Sequence, residues 1–411
     1  ILVLKNNKGT EDNRVRKLDY SIQLSKLFYE RFIKNEEITL FSPHDVPGLY
    51  DSFGTDAFDD LYVRYENAGV PCTKVSAQEL ILDLLKERAE TGRIYIMNID
   101  HCNSHSSFKD HVYMSNLCQE ITLPTHPVSH IDDHLGEIAL CILSAVNVGK
   151  INSDKELEDL CDLSVRGLEE LIDYQNYPVL AAELATKARR SLGVGFIGLA
   201  HYLAKLGFKY DSQEAWDAVH GLSESFQYYL LKASNEIAKE KGHCENFGRT
   251  KYAESSSVVS NATNGIEPPR DYLSIKKSKK GPLKQIVPSY GSLKNDYTLL
   301  WDMPGNTGYI NVVAVMQKFF DQAISGNWSY NPEHFDNAEV PVSVMAQDLL
   351  TTYKYGWKTS YYQNTNDMKT DEEPAHPIGW HDDVPEGQSK LNSLLDELEN
   401  AEEGECESCA I

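Results

Sequence analysis

A chain of 411 residues can bury a large core, and length alone permits two or three domains. Its formal charge of −23 argues against a nucleic-acid surface, and it has no apolar run of the roughly eighteen residues a membrane span requires. Eight cysteines (positions 72, 102, 118, 141, 161, 244, 406 and 409) are scattered through a chain with no export signal, which predicts reduced thiols in a cytoplasm rather than a disulfide framework.

The opening Ile1-Leu2-Val3-Leu4-Lys5 carries too short an apolar run for a signal peptide, and no initiator Met. The expectation is a chain that begins inside a domain, through processing or because a larger protein is divided between chains. Asn13 to Asn35 reads as a helix, with Val15, Leu18, Ile22, Leu24, Leu27, Phe28 and Phe32 at helical spacing. A turn follows over Ser42-Pro43-His44-Asp45-Val46-Pro47-Gly48. Ser76 to Glu90 predicts a second amphipathic helix, capped by Ser76 and stopped by Gly92, and Arg93 to Asn98 predicts a short strand. Further helices are expected over 153–176, 181–206, 212–241, 309–323 and 341–356.

Alternation of these helices with short β-branched runs favours an α/β fold with a largely parallel sheet, open or closed, across one body spanning residues 1–365. From residue 366 the chain holds fourteen Asp or Glu against two Lys, which predicts a flexible, disordered acidic tail over 366–411. Within it Leu391, Leu394, Leu395 and Leu398 fit either a transient helix in a linker or a docking element.

Several groups could carry chemistry. Asp100-His101-Cys102-Asn103-Ser104-His105 is the best metal-ligand cluster, but no second Cys/His group accompanies it, so no metal site is expected. Asn116-Leu117-Cys118-Gln119-Glu120 places an amide, a thiol and a carboxylate at i, i+2 and i+4, able to face one ligand from an extended segment or loop. Cys141, in the apolar run Ala139-Leu140-Cys141-Ile142-Leu143, reads by itself as a core residue. Ser255-Ser256-Ser257 and the following Ser260-Asn261-Ala262-Thr263-Asn264-Gly265 offer hydroxyls and backbone N–H groups suited to a phosphate. Adjacent tyrosines such as Tyr361-Tyr362 usually serve packing, yet stacked phenols can also relay an oxidising equivalent. Cys406 and Cys409 form a Cys-x-x-Cys at the tip of the acidic tail, which suits a mobile carrier of reducing equivalents better than a structural staple.

Taken together, Phe41-Ser42-Pro43-His44-Asp45-Val46-Pro47-Gly48-Leu49, Ser115-Asn116-Leu117-Cys118, Asn261-Ala262-Thr263-Asn264-Gly265-Ile266-Glu267-Pro268-Pro269-Arg270, Met303-Pro304-Gly305-Asn306 and Tyr361-Tyr362-Gln363-Asn364 resemble the catalytic large (α) subunit of aerobic class I ribonucleotide reductase. The resemblance runs from residue 1 to about 365 and includes the terminal dithiol. It implies an α/β barrel of ten strands with an inserted finger loop, incomplete in this chain, and reduction of ribonucleoside diphosphates by thiyl-radical chemistry.

By the same resemblance Cys118 matches the thiyl-forming thiol, Glu120 the general base for the 3′-hydroxyl and Asn116 the amide that binds substrate hydroxyls. Cys141 matches one of the two thiols that reduce the 2′-position. Tyr361 and Tyr362 match the dyad that delivers the oxidising equivalent from a small (β) subunit carrying a tyrosyl radical and dinuclear metal, with no cofactor bound by this chain. Glu254, Ser255 and Ser256 fall at the substrate diphosphate loop, although Tyr252-Ala253 departs from the family's usual Pro-Ser there. Cys406 and Cys409 match the dithiol re-reduced by thioredoxin or glutaredoxin. The second reducing thiol and the nucleotide-regulation sites lie upstream in the family, so the chain resembles the C-terminal portion of a divided α subunit, needing an N-terminal α chain as partner.

Two readings from other classes compete. A thiol–disulfide oxidoreductase explains the tail but neither the tyrosine pair nor the Asn-x-Cys-x-Glu loop. A non-catalytic scaffold chain has no reason to keep Cys118, Glu120, Cys141 and both tyrosines together.

Overall fold

The computed structural model describes residues 19–140, 142–251, 258–259, 264–278 and 281–366, with the backbone alone at 258–259, 264, 274–278 and 281–285. The expectations for residues 13–18, for the leucine segment at 391–398 and for the acidic tail beyond Asn366 lie outside the described residues.

The first half holds strands β1 (Tyr20–Leu24), β2 (Glu37–Phe41), β3 (Cys72–Ser76), β4 (Ile94–Asn98) and β5 (Ile142–Asn147). Between them run helices α1 (Lys26–Lys34), α2 (Leu49–Ser52), α3 (Asp56–Asn67), α4 (Ala77–Thr91) and α5 (Ile99–Ser104). Helices α6 (Asp154–Tyr174) and α7 (Leu180–Arg189), strand β6 (Leu192–Ile197), and helices α8 (Leu199–Lys205) and α9 (Gln213–Lys241) follow. Next come β7 (Val258–Val259), β8 (Leu273–Ser278), β9 (Gly281–Ile286), α10 (Tyr290–Leu293) and α11 (Thr307–Gln317). Strand β10 (Gly326–Tyr330), α12 (Val342–Lys354) and β11 (Thr359–Thr365) complete the order.

Helix α4 forms where the sequence places it. The Ser76 hydroxyl accepts from the Glu79 N–H at 3.3 Å, and Gly92, at φ +70°, takes the left-handed turn that stops it. Two expected helices are corrected. Residues 20–24 form a strand, because Tyr20, Ile22 and Leu24 also fit a period of two and their backbone pairs in parallel with β4. The helix begins only after Ser25, as α1. Residues 181–206 divide into α7, β6 and α8. Arg190 turns left-handed at the end of α7, and Leu192-Gly193-Val194-Gly195-Phe196-Ile197 pairs in parallel with β5.

A four-stranded sheet runs in the order β1-β4-β11-β10, and a three-stranded parallel sheet in the order β5-β6-β7. In the larger sheet β1 is parallel to β4 and β10 to β11, while β4 meets β11 antiparallel through Met97–Thr359 and Ile96–Ser360. Two antiparallel pairs, β2–β3 and β8–β9, stand apart from these sheets. The fold is thus mixed α/β with mostly parallel pairing, as expected. The described strands do not themselves close into a ring.

Strand β4 is buried at every position, reading as the continuous apolar run of a strand covered on both faces. One extended core joins both sheets through Phe196, Phe226, Phe320, Trp328 and Trp357. Trp357 lies so close over β10 that any Cβ at Gly326 would collide with its indole, which holds β10 against the segment leading into β11.

Candidate active site

Strand β11 carries Tyr361 and Tyr362, whose ring centroids lie 4.2 Å apart. A third phenol joins them. Tyr95 of β4 sits 4.5 Å from the Tyr361 ring and 5.3 Å from the Tyr362 ring. The sequence reading placed Tyr95 on a strand without assigning it a role. Its available signal was a hydroxyl in a fully buried apolar strand, where a phenol needs polar company. Burial first, then the Tyr362 phenol, pushes the Tyr95 hydroxyl well above its ordinary pKa. Burial and the hydrogen bond to Cys118 do the same for Tyr361. Both therefore stay neutral phenols at any physiological pH, and oxidation of either must remove a proton with the electron.

The Tyr361 hydroxyl donates to Cys118 Sγ at 3.4 Å, joining residues 243 positions apart. Cys118 rides on the irregular segment after α5. Its turn is closed where the Asn116 N–H donates to the Ile121 carbonyl at 3.2 Å and the Ile121 N–H returns to Asn116 Oδ1 at 3.0 Å. Gln119 takes a left-handed φ of +64° between them. The amide, thiol and carboxylate are thus presented by a tight turn rather than by an extended run.

This turn has little secondary structure of its own, so distant side chains hold it. Ser325 Oγ donates to the Cys118 carbonyl at 2.6 Å and lies 3.3 Å from Glu120 Oε2, linking the backbone of the thiol to the carboxylate. Thr359 Oγ1 donates to the Gln119 carbonyl at 3.2 Å, and the Gln119 amide donates to Ser21 on β1. Gln322 accepts from the Thr122 N–H at 2.6 Å. Glu120 is buried, Cys118 half-buried and Asn116 exposed. Lys358, fully buried beside β11, donates to the carbonyls of His105 and Asp321, and burial pulls its pKa down to about 8.

Cys141, Glu254, Ser255, Ser256, Cys406 and Cys409 lie outside the described residues. The chain just before Glu254 is firmly held. The Lys251 N–H donates to the Ser107 carbonyl at 2.7 Å, while Arg189 and Arg249 share Asp110 and Glu137 in a four-charge cluster. The Asp100–His105 cluster serves packing. Tyr353 donates to Asp100, His101 stacks on the Tyr353 ring at 4.4 Å, and Cys102 is buried. Among the described residues, no three His, Cys, Asp or Glu side chains converge as a metal site. No described helix is long and apolar enough to cross a membrane.

The arrangement defines a class of site. A thiol meets a buried phenol, two more phenols continue from it, and a carboxylate is tied to the thiol's own backbone. The ribonucleotide reductase barrel domain matches residues 1–255 and 291–363, and the chain belongs to that family. The ribonucleoside-diphosphate reductase subunit alpha of Haemophilus influenzae is 51% identical over 90% of this chain and 56% of its own length. The ribonucleoside-diphosphate reductase 1 subunit alpha of Escherichia coli K12 is 48% identical over the same shares. The ribonucleoside-diphosphate reductase subunit alpha of Enterobacteria phage T4 is 38% identical over 89% of this chain and 56% of its own length. The chain thus spans little more than half the length of these relatives.

Proposed function

We propose that this chain supplies the radical-forming part of a ribonucleoside-diphosphate reductase. The observation that carries the reading is the 3.4 Å hydrogen bond from the Tyr361 hydroxyl to Cys118 Sγ. A phenoxyl at Tyr361 would take the hydrogen atom of the Cys118 thiol along that bond, restoring the phenol and leaving a thiyl. S–H and ribose C–H bonds are close in strength, so the thiyl can remove the 3′-hydrogen reversibly.

Glu120 then accepts the 3′-hydroxyl proton, which requires hydrogen-bond reach, and Asn116 orients the hydroxyls. The 2′-hydroxyl leaves as water. Cys141 and a second thiol supply two electrons and two protons, ending as a disulfide, and Cys118 returns the 3′-hydrogen. Glu254, Ser255 and Ser256 bind the diphosphate. Cys406 and Cys409 reduce the disulfide and are themselves reduced by thioredoxin or glutaredoxin. The oxidising equivalent enters through Tyr362 from a small β subunit bearing a tyrosyl radical and dinuclear metal. Residues corresponding to the relatives' remaining length complete the substrate site, whether on this polypeptide or on an N-terminal α chain.

The test is diphosphate reduction by the assembled α and β components, with and without Cys118→Ser. An alcohol O–H is too strong a bond for the relay to break, so turnover should vanish while substrate binding persists. A Ser variant that keeps a tenth of the activity would refute the assignment.

A further inference from the structure

Consecutive residues of a regular strand point to opposite faces. Tyr361 and Tyr362 are consecutive, yet their rings lie 4.2 Å apart and both contact Tyr95. The register of β11 against β10 explains how. Gly326 pairs with Ser360 and Trp328 with Gln363, so Tyr361 and Tyr362 together face the single residue Asn327. The dyad is a β-bulge, and a bulge takes backbone groups out of the ladder.

Two buried side chains meet those groups. On the β10 side, Asn327 Oδ1 accepts from the Tyr362 N–H at 3.0 Å, while its Nδ2 donates to Glu267 at 2.6 Å. On the β4 side, the antiparallel pairing ends at Ser360, and the Arg88 guanidinium fills the gap. Its Nη1 donates to the Tyr361 carbonyl at 2.7 Å and to the Ile94 carbonyl, and its Nη2 to the Tyr362 carbonyl at 3.2 Å. Arg88 is wholly buried and lies 4.7 Å from the Trp328 ring centroid. Among the described residues it has no carboxylate at ion-pair distance. Burying a cation without a counter-ion is costly. What it gains here is three carbonyls, two from the dyad and one from the residue before Tyr95. A planar fork can hold them together where an ammonium cannot.

We infer that Arg88 and Asn327 are positioning residues of the radical relay, clamping the bulge that sets the Tyr361 and Tyr362 rings against each other and beside Tyr95. This rests on the relay reading above, but the clamp can be judged separately from it. The experiment places 3-fluorotyrosine at position 362 and compares Arg88→Gln, Arg88→Lys and Asn327→Ala with the parent by fluorine NMR. The same three variants, in the natural sequence background, are assayed for steady-state turnover in the assembled reductase. Arg88→Gln and Asn327→Ala should each shift the fluorine resonance and lower kcat about tenfold or more with KM within about twofold, since the diphosphate site is untouched. Arg88→Lys keeps the charge but not the fork and should fall between.

Asn327→Ala keeps the test decisive if Arg88→Gln does not fold. A folded variant with native turnover overturns the proposal, and so does lost turnover with an unmoved fluorine signal. Failure of the relay reading looks different. Tyr361→Phe would then turn over normally, and the fluorine shifts alone would decide whether Arg88 and Asn327 hold the ring pair.

Discussion

The two arms of the site are held by different means. The tyrosine arm sits on β4 and β11, strands buried at most positions and paired with neighbours on both sides. The thiol arm is an irregular turn whose position depends on Ser325, Thr359, Gln322 and Ser21, drawn from distant parts of the chain. A relay of phenols needs fixed ring spacing, which strands supply. In the proposed reaction the thiol would meet both a phenol and a substrate, which needs a tip free of ladder constraints, and a tethered turn provides that. Substitutions should therefore act in an all-or-none way on the relay chemistry and by degrees on the tethers.

The largest effects should come from the oxidisable groups. Tyr361→Phe and Tyr362→Phe each keep the ring and remove only the hydroxyl. Stability should fall by about a kcal/mol at most, while turnover should fall below detection. Thermal unfolding measured beside activity separates the two quantities. Near-normal turnover in either variant would reduce the dyad to packing and erase the contrast between the arms.

Next come the thiols outside the described residues. Cys406→Ser and Cys409→Ser should each stop multiple turnover driven by thioredoxin or glutaredoxin, because neither can form the exchangeable disulfide. Dithiothreitol should largely restore both, since a small dithiol reaches the active site directly. Cys141→Ser should not be rescued, since the proposed role of Cys141 is to reduce the substrate itself. Normal thioredoxin- or glutaredoxin-driven turnover in both tail variants would make Cys406 and Cys409 bystanders.

A stability contrast follows from the charge cluster of Arg189, Arg249, Asp110 and Glu137. Arg189 is buried and bridges Asp110 and Glu137. Arg189→Met leaves two carboxylates with only the more exposed Arg249. The expected loss is about 3 kcal/mol, read as a lower midpoint in urea unfolding. A variant as stable as the parent would show that the cluster does not anchor the chain leading to Glu254.

Local signals made part of this legible in the sequence. Ser76 and Gly92 bound α4 because cap chemistry is carried by the residues themselves. The types and spacing of Asn116, Cys118 and Glu120 marked them as a set able to face one ligand, while their separate roles, like that of the tyrosine pair, came only with the family resemblance. Tyr20 to Leu24 was misread because Ile22 and Leu24 satisfy both a helical and a strand period, and only pairing with β4 decides between them. Arg88, Tyr95, Ser325 and Asn327 went unassigned for a related reason. Arg88 meets Tyr361 across 273 residues and Ser325 meets Cys118 across 207, distances that no local pattern encodes.

The smallest predicted effect tests the tethers themselves. The Ser325 hydroxyl donates to the Cys118 carbonyl at 2.6 Å and lies 3.3 Å from the Glu120 carboxylate, so it ties the thiol's backbone to that carboxylate. Ser325→Ala removes that link and leaves Thr359 and Gln322 holding the turn on either side. One hydrogen bond of this kind contributes about 1 kcal/mol, which corresponds to a loss of about fivefold in kcat if the tether acts in the transition state. Ser325→Thr keeps the hydroxyl and should recover most of it. Fluorine NMR of 3-fluorotyrosine at position 362 should be unchanged in both variants, because among the described residues the Ser325 hydroxyl bonds to Cys118 and Glu120 and not to the tyrosines. A complete loss of turnover in Ser325→Ala would mean that the hydroxyl takes part in the chemistry, and the division between a rigid relay and a tunable loop would have to be abandoned.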